Sequence, residues 1–128
     1  MKRTVVGIAL VALAGVAGVH ALGAPFTILQ RADSSIPGYE VIAGFADFQP
    51  GATTGRHSHP GEVVGHVVGG SLLVEQDGKP AITVTAGGAF IIPAGVVHNN
   101  TNTGRTAVRM LTTYVIPKGK DIRANPPS

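Results

Sequence analysis

The sequence contains no cysteine and little charge: charged residues make up only 13% of its 128 residues. Without cysteine, the chain can form neither a disulfide-bonded scaffold nor a lipid anchor attached through a thiol. It also has no stripe of Lys and Arg, and its few aromatic residues, 5% of the total, are not interleaved with basic ones. We therefore predict no nucleic-acid partner.

Several enzyme motifs are absent as well. The sequence has no Ser-His-Asp order, no phosphate-binding loop and no dinucleotide-binding motif, because Gly69-Gly70 and Gly87-Gly88 are turn glycines with no helical pattern after them. Outside the N-terminal region, a helical period persists for no more than one or two turns. The sequence therefore indicates a β protein whose functional site is neither a serine triad nor a nucleotide-binding site.

The first two dozen residues have the pattern of an export signal. Lys2 and Arg3 form a positive region, and an apolar run of about fifteen residues, Val5 to Val19, follows. That run is short for a membrane span, which needs about 20 residues, and small residues from Ala21 to Ala24 offer a cleavage site. We predict that residues 1–23 are a signal peptide, that no stable membrane anchor remains after cleavage, and that the protein is periplasmic or secreted. Removal of the two basic residues leaves 8 basic against 7 acidic side chains.

The remaining chain is rich in turn residues, and its apolar residues alternate as in strands. The whole sequence contains 18 glycines and 9 prolines, and turn signals recur every eight to twelve residues of the remaining chain. Asp77-Gly78 suits a tight hairpin turn, since glycine tolerates a positive φ. We expect eight or nine short strands, forming a sandwich or barrel over residues 24–117, and a loose, polar tail at 118–128. Eight of the strands can be placed, at 26–29, 39–48, 63–68, 72–75, 81–85, 89–92, 97–101 and 106–116.

Such a fold can bring three histidines together. His57 and His59 are two residues apart, so in an extended segment their side chains point to the same side. His98, from another strand, can meet them inside a barrel. Neutral imidazole binds Fe, Zn, Ni, Cu or Mn, and three such ligands leave coordination positions for water or substrate. A single histidine of this kind is more typical of a solvated loop. The interpretation as a metal site therefore depends on the glycines and prolines around the histidines.

Those glycines and prolines resemble the two motifs of a small single-domain cupin. The family's second motif, G-x5-P-x-G-x2-H-x3-N, is complete, and its first, G-x5-H-x-H-x3,4-E-x6-G, is present except for the glutamate. The resemblance implies a cupin-type double-stranded β-helix or jelly-roll barrel, a divalent transition metal (Fe, Zn, Ni, Cu or Mn), a small-molecule ligand and a homodimer. The matching residues are Gly51, His57, His59, Gly69 or Gly70, Gly87, Pro93, Gly95, His98 and Asn102.

The sequence departs from the family at the carboxylate ligand. That glutamate is expected three or four residues after the second histidine, where Val63 and Val64 stand. Glu62 comes one residue too early and reaches the site only if a bulge shifts the register of the following strand. The predicted metal ligands are therefore three histidines, with Glu62 as a conditional fourth. His66 has the opposite parity to Val63 and is expected on the outer face unless the strand has slipped.

Two functions fit this pattern. The first is a metal-dependent dioxygenase, isomerase or lyase acting on a small organic molecule. The second is a non-catalytic barrel that binds a small ligand or metal through a degenerate site, and the missing glutamate favours it. Loss of that negative ligand disfavours Mn²⁺ relative to Zn, Ni or Cu. Tyr114 and Arg56 are candidate substrate contacts, although strand residues of these types more often pack or extend along a surface.

Overall fold

The computed structural model describes residues 23–126. The predicted signal peptide, apart from Gly23, lies outside the described residues. Over residues 23–126, the model contains no helix with the length and apolar character needed to cross a membrane.

Eight β-strands pair in antiparallel fashion to form two sheets. They are β1 Phe26–Asp33, β2 Tyr39–Phe48, β3 Glu62–Gly69, β4 Ser71–Gln76, β5 Ile82–Thr85, β6 Ala89–Ile92, β7 His98–Thr101 and β8 Val108–Pro117. One sheet has five strands in the order β1-β2-β8-β3-β6, and the other has three in the order β5-β4-β7. This arrangement confirms the prediction of an all-β, cupin-type jelly roll.

The core lies between the inner faces of the two sheets. Side chains alternate along each strand, so β3 buries Val63, Gly65 and Val67 and exposes the residues between them. Phe90 lies directly against Gly65, where any Cβ would overlap its ring. Burial of large apolar side chains contributes about 1.5–3 kcal/mol each. Both sheets contribute to this core, which includes Ile42, Phe48, Val67, Leu72, Val74, Ile92, Val108 and Ile116.

The first strand is longer than its sequence indicates. The predicted strand covered residues 26–29, but Arg31 to Asp33 continues β1 and pairs with β2 after a register shift between Ile28 and Gln30. The strand lies at the edge of its sheet and is exposed along nearly its whole length, so polar side chains in it remain solvated. The hairpin at Asp77-Gly78 is as predicted, with β4 paired to β5 and Gly78 at a φ of 81°.

Part of the C-terminal tail, which was predicted to be loose, pairs with the barrel. Ala124 exchanges two backbone hydrogen bonds with Ser58, each of 2.9 Å, which places the tail beside the segment that carries His57 and His59. The tail docks because Ser58 has a free N–H and carbonyl on the side facing away from β7, and such groups require partners when they are covered. Polar composition alone did not reveal this pairing.

Gly61 is a position where the fold admits no side chain. It follows the His59-Pro60 pair, is buried, and would place a Cβ against the backbone carbonyl of Val115. We expect Gly61→Ala to lower the free energy of unfolding by about 1–3 kcal/mol, because backbone cannot yield as a flexible side chain can. Gly69→Ala is the matched control, since a Cβ there meets nothing within 4 Å. Urea unfolding of both variants measures the difference, and equal stabilities would contradict this packing.

Candidate metal centre

Backbone pairing sets the positions of the three histidines. His57 and His59 lie in the segment between β2 and β3, and His98 begins β7. The His57 N–H donates to the His98 carbonyl at 3.0 Å, and the His98 N–H donates to the His57 carbonyl at 2.9 Å. The Gly95 N–H donates to the His59 carbonyl at 2.8 Å from a turn in which Gly95 has a φ of 75°. The extended segment thus directs His57 and His59 toward the ring of His98.

The three imidazoles form one compact, buried cluster. A ring nitrogen of each histidine lies within 4.8 Å of a ring nitrogen of the other two. The ring centroids of His57 and His98 are 4.3 Å apart, and the other two centroid pairs are separated by 4.7 and 5.1 Å. No ring is more than 5% exposed. Within residues 23–126 this is the one group of three or more metal-ligating side chains close enough to share an ion.

Hydrogen bonds to backbone carbonyls fix the orientation of each ring. Nδ1 of His57 lies 2.7 Å from the Gly55 carbonyl oxygen, and Nδ1 of His98 lies 3.0 Å from that of Val96. Nδ1 of His59 contacts the carbonyl oxygen of Ile122, in the C-terminal tail. A carbonyl oxygen only accepts hydrogen bonds, so each Nδ1 carries the proton and each Nε2 keeps its lone pair. This is the form in which imidazole binds a metal.

Burial also keeps the three rings uncharged. It lowers the pKa of His57 and of His59 from 6.5 to about 4 and lowers the pKa of His98 as well. The carbonyl hydrogen bonds oppose this shift, whereas the positive charge of Arg123 adds to it at all three rings. No proton therefore competes strongly for the ring nitrogens near neutral pH.

The structure does not bring Glu62 to the histidines. Residues Glu62 to Val67 pair with β8 in an unbroken register, and the shift in that pairing comes later, between Val67 and Gly69. Val63 is consequently the inward residue, opposite Tyr114, and Glu62 is exposed on the outer face. The bulge required for Glu62 to be a ligand is absent, and His66 is exposed, as its parity predicts.

The histidines open onto a cavity of about 270 Å³ inside the barrel. Tyr114, one of the two predicted substrate contacts, lines this cavity, with its ring centroid 4.9 Å from that of His59. Burial raises the pKa of Tyr114 to about 12, so its hydroxyl is a hydrogen-bond donor rather than a base. Arg56, the other predicted contact, lies elsewhere: it forms an exposed ion pair with Asp77 at 2.9 Å and does not line the cavity.

The sequence analysis missed most of the cavity lining, including Asn100, Thr112, Ile122 and Arg123. Asn100 shares the parity of His98 on β7, and Thr112 shares that of Tyr114 on β8, so strand alternation could have revealed both. Ile122 and Arg123 belong to the tail and have no periodic signal. The remaining lining is mainly apolar, and none of it is acidic: Ala24, Phe26, Ala46, Phe48, Thr54, Val63, Phe90 and Met110.

The donor set fits a divalent transition metal. Three neutral nitrogen ligands with their second nitrogens held by carbonyls are typical of sites for Zn, Fe, Ni or Cu, and the lack of a carboxylate makes the site a poor one for Mn. His57, His59 and His98 would hold the ion.

Comparisons with known proteins agree with this geometry. A family model described as Cupin domain matches residues 44–114. The beta-alanine degradation protein BauB of Pseudomonas aeruginosa is 38% identical over 78 residues, which cover 59% of this chain and 82% of that protein. Germin-like protein 3-5 of Oryza sativa subsp. japonica is 37% identical over 76 residues, which cover 53% of this chain and 34% of the relative.

A solved structure of oxalate oxidase in complex with the substrate analogue glycolate is also similar. It has a TM-score of 0.55 and 34% identity, and the alignment covers 58% of this chain and 41% of the other. The chain spans about a third of the length of the plant germin-like relatives that it matches.

Proposed function

This chain belongs to the cupin family, and we propose that it is a metal-dependent enzyme acting on a small organic acid in the cavity beside His57, His59 and His98. The observation that carries the proposal is the convergence of three buried, neutral imidazoles whose Nδ1 atoms are all held by backbone carbonyls. Desolvation of three adjacent polar rings is costly for a barrel, and a bound metal offsets that cost.

A divalent metal at this position would supply Lewis acidity, or redox chemistry if it is iron or copper. The side chains that line the cavity enclose the space beside the metal site. Phe26, Phe48 and Phe90 make much of the cavity wall apolar, which excludes water and strengthens electrostatic interactions inside. The protonated hydroxyl of Tyr114 can donate a hydrogen bond to a substrate oxygen near His59.

The proposed substrate class has support from the relatives. Oxalate, glycolate and β-alanine, which appear in the names of the similar proteins and structure, are all small carboxylates. The cavity of about 270 Å³ suits a ligand of this size, since it is below the usual range of about 300–1,000 Å³ for drug-sized ligands. Oxidation, isomerisation and lyase reactions of such acids all remain within the proposal.

A non-catalytic binding barrel is the second candidate. It is favoured by Val63, which stands where the family has a metal-binding glutamate, and by the high pKa of Tyr114. None of the lining residues that the structure describes is Asp, Glu, Lys or Cys, and burial lowers the pKa of all three histidines. A protein that binds metal and small acids without converting them would match this alternative.

Export and dimer formation are further proposals. Lys2, Arg3 and the apolar run after them support export to the periplasm or the medium. Pairing of two copies through the five-stranded sheet is supported by the exposed Val64, Ile91 and Leu111.

Metal content tests the proposed function. We expect untagged protein purified from the exported fraction to carry close to one transition-metal ion per chain by elemental mass spectrometry. His98→Gln should lose this metal, because two imidazoles hold an ion far less tightly than three. Glu62→Gln is the matched control and should retain it, since Glu62 is exposed on the outer face. Metal that stays in His98→Gln, or a wild-type protein that never takes up metal, would contradict the proposal.

Val63→Glu should change which metal the site prefers. The new carboxylate would enter the cavity beside the histidines and add a hard, negative ligand, which raises affinity for Mn²⁺ more than for softer ions. We expect the Mn²⁺ affinity to rise by about tenfold or more and the metal-free protein to lose stability through a buried charge. Val64→Glu, one residue away on the outer face, should do neither. Competitive metal titration measures the change, and equal Mn²⁺ affinity in the two variants would show that Val63 does not face the site.

A further inference from the structure

The cavity has a positive charge and no negative one to balance it. Arg123 lines it together with the three neutral histidines, and none of the lining residues is Asp or Glu. Among residues 23–126, Arg123 forms no ion pair with any carboxylate. Arg123 is itself exposed, so it lines the cavity where the cavity meets solvent. A divalent ion would make this imbalance larger.

The backbone holds Arg123 in place and leaves part of its guanidinium available. Ala124 pairs with Ser58, and the carbonyl of Ile122 accepts from His59, so both neighbours of Arg123 are fixed. Its Nη1 donates to the Thr54 carbonyl at 2.8 Å, and its Nε makes a long contact of 3.4 Å to the side chain of Asn125. The Nη2 group has no partner among the described residues. A guanidinium with free donors is suited to a planar carboxylate.

Two buried oxygens in the same cavity also lack partners. The Asn100 side-chain oxygen and the Thr112 hydroxyl have no hydrogen-bond partner within residues 23–126, although the residues are only 4% and 2% exposed. They lie on β7 and β8, which belong to different sheets, and both line the cavity. Leaving such groups unpaired is costly, and both can accept a hydrogen bond. The occupant of the cavity is therefore expected to carry a hydrogen-bond donor.

We propose that the cavity binds a small hydroxy or amino acid whose carboxylate pairs with Arg123. Its amino group donates to Asn100 and Thr112, or its hydroxyl donates to Asn100 and accepts from the Thr112 hydroxyl. This inference rests on the proposed function, because it assigns the ligand of the same cavity. The volume of about 270 Å³ corresponds to about nine water molecules, which limits the ligand to a few carbon atoms. Arg123 thus favours a ligand with a negative charge, and the oxygens of Asn100 and Thr112 favour a ligand with a hydrogen-bond donor.

Calorimetric titration with glycolate and with its uncharged amide, glycolamide, tests the role of Arg123. Zinc-loaded and chelator-treated proteins are both titrated, so that binding is read without reference to activity. We expect the zinc-loaded wild type to bind glycolate at least tenfold more tightly than glycolamide. Arg123→Gln should reduce this preference by weakening glycolate alone, whereas a merely structural role would weaken both ligands equally. Arg105→Gln, which changes an exposed arginine outside the cavity lining, is the matched control and should retain the preference.

Thr112→Val tests the second contact. The variant removes a hydroxyl that has no partner in the described chain, so the fold should not lose stability. We expect Thr112→Val to weaken glycolate by several-fold and to leave acetate, which has no hydroxyl, unchanged. Equal weakening of both acids would contradict the proposed contact with the donor.

Three results overturn the proposal: no glycolate binding by a metal-holding wild type, equal affinity for glycolate and glycolamide, or an unchanged preference in Arg123→Gln. The first leaves the three-histidine metal site intact and rejects only this ligand. Conversely, glycolate binding that depends on Arg123 in a protein that takes up no metal would support this inference and reject the proposed function.

Discussion

The site depends on one pair of reciprocal backbone hydrogen bonds, those between His57 and His98. They connect two segments 41 positions apart in the sequence and set the register of both. Because side chains alternate along extended chain, this register turns His57 and His59 to the same side as His98 and leaves the backbone of Ser58 facing the other way. Ser58 then pairs with the tail, and the tail returns a carbonyl to His59 and places Arg123 at the cavity.

Charge is the second organising feature. The described lining of the cavity provides three neutral ligands and one arginine without an ion pair, with Val63 where a glutamate would balance a bound cation. Arg123 is exposed, and its positive charge at the cavity attracts a ligand of opposite charge. In this barrel the balancing charge is left to the ligand. The lack of a carboxylate in the described lining thus affects both which metal binds and which ligand binds. Arg123, in the tail, adds the positive charge that favours an anionic ligand.

Strand alternation made much of this structure predictable. The bounds of β2 and β6 and the common side of His57 and His59 all follow from a period of two, supported by glycines at the turns. The prediction of Arg56 as a substrate contact conflicts with this alternation. A residue next to His57 in extended chain points away from the cavity, and Arg56 forms an exposed ion pair with Asp77. The sequence could not decide whether Glu62 or Val63 faces the histidines, because a single bulge would have exchanged the inward and outward residues of β3.

Non-local pairing explains what could not be predicted. Arg123 has no motif around it and lies in a segment whose polar composition indicates a tail, yet the segment docks because Ser58 offers unpaired backbone groups. The first strand likewise extends through Arg31 and Asp33 because an edge strand tolerates polar side chains on both faces. In both cases the deciding information is which hydrogen-bonding groups remain free after the rest of the barrel has formed, and no local window of sequence contains it.

The central claim is that three imidazoles of this chain hold one metal ion through their Nε2 atoms. The X-ray absorption spectrum of the untagged, zinc-loaded protein tests it most directly, because imidazole rings give a characteristic multiple-scattering pattern. The account predicts a spectrum fitted by three imidazole ligands with Zn–N distances of about 2.0–2.1 Å. A spectrum that requires one imidazole or none would contradict it, since the ion would then lie outside the cluster of His57, His59 and His98.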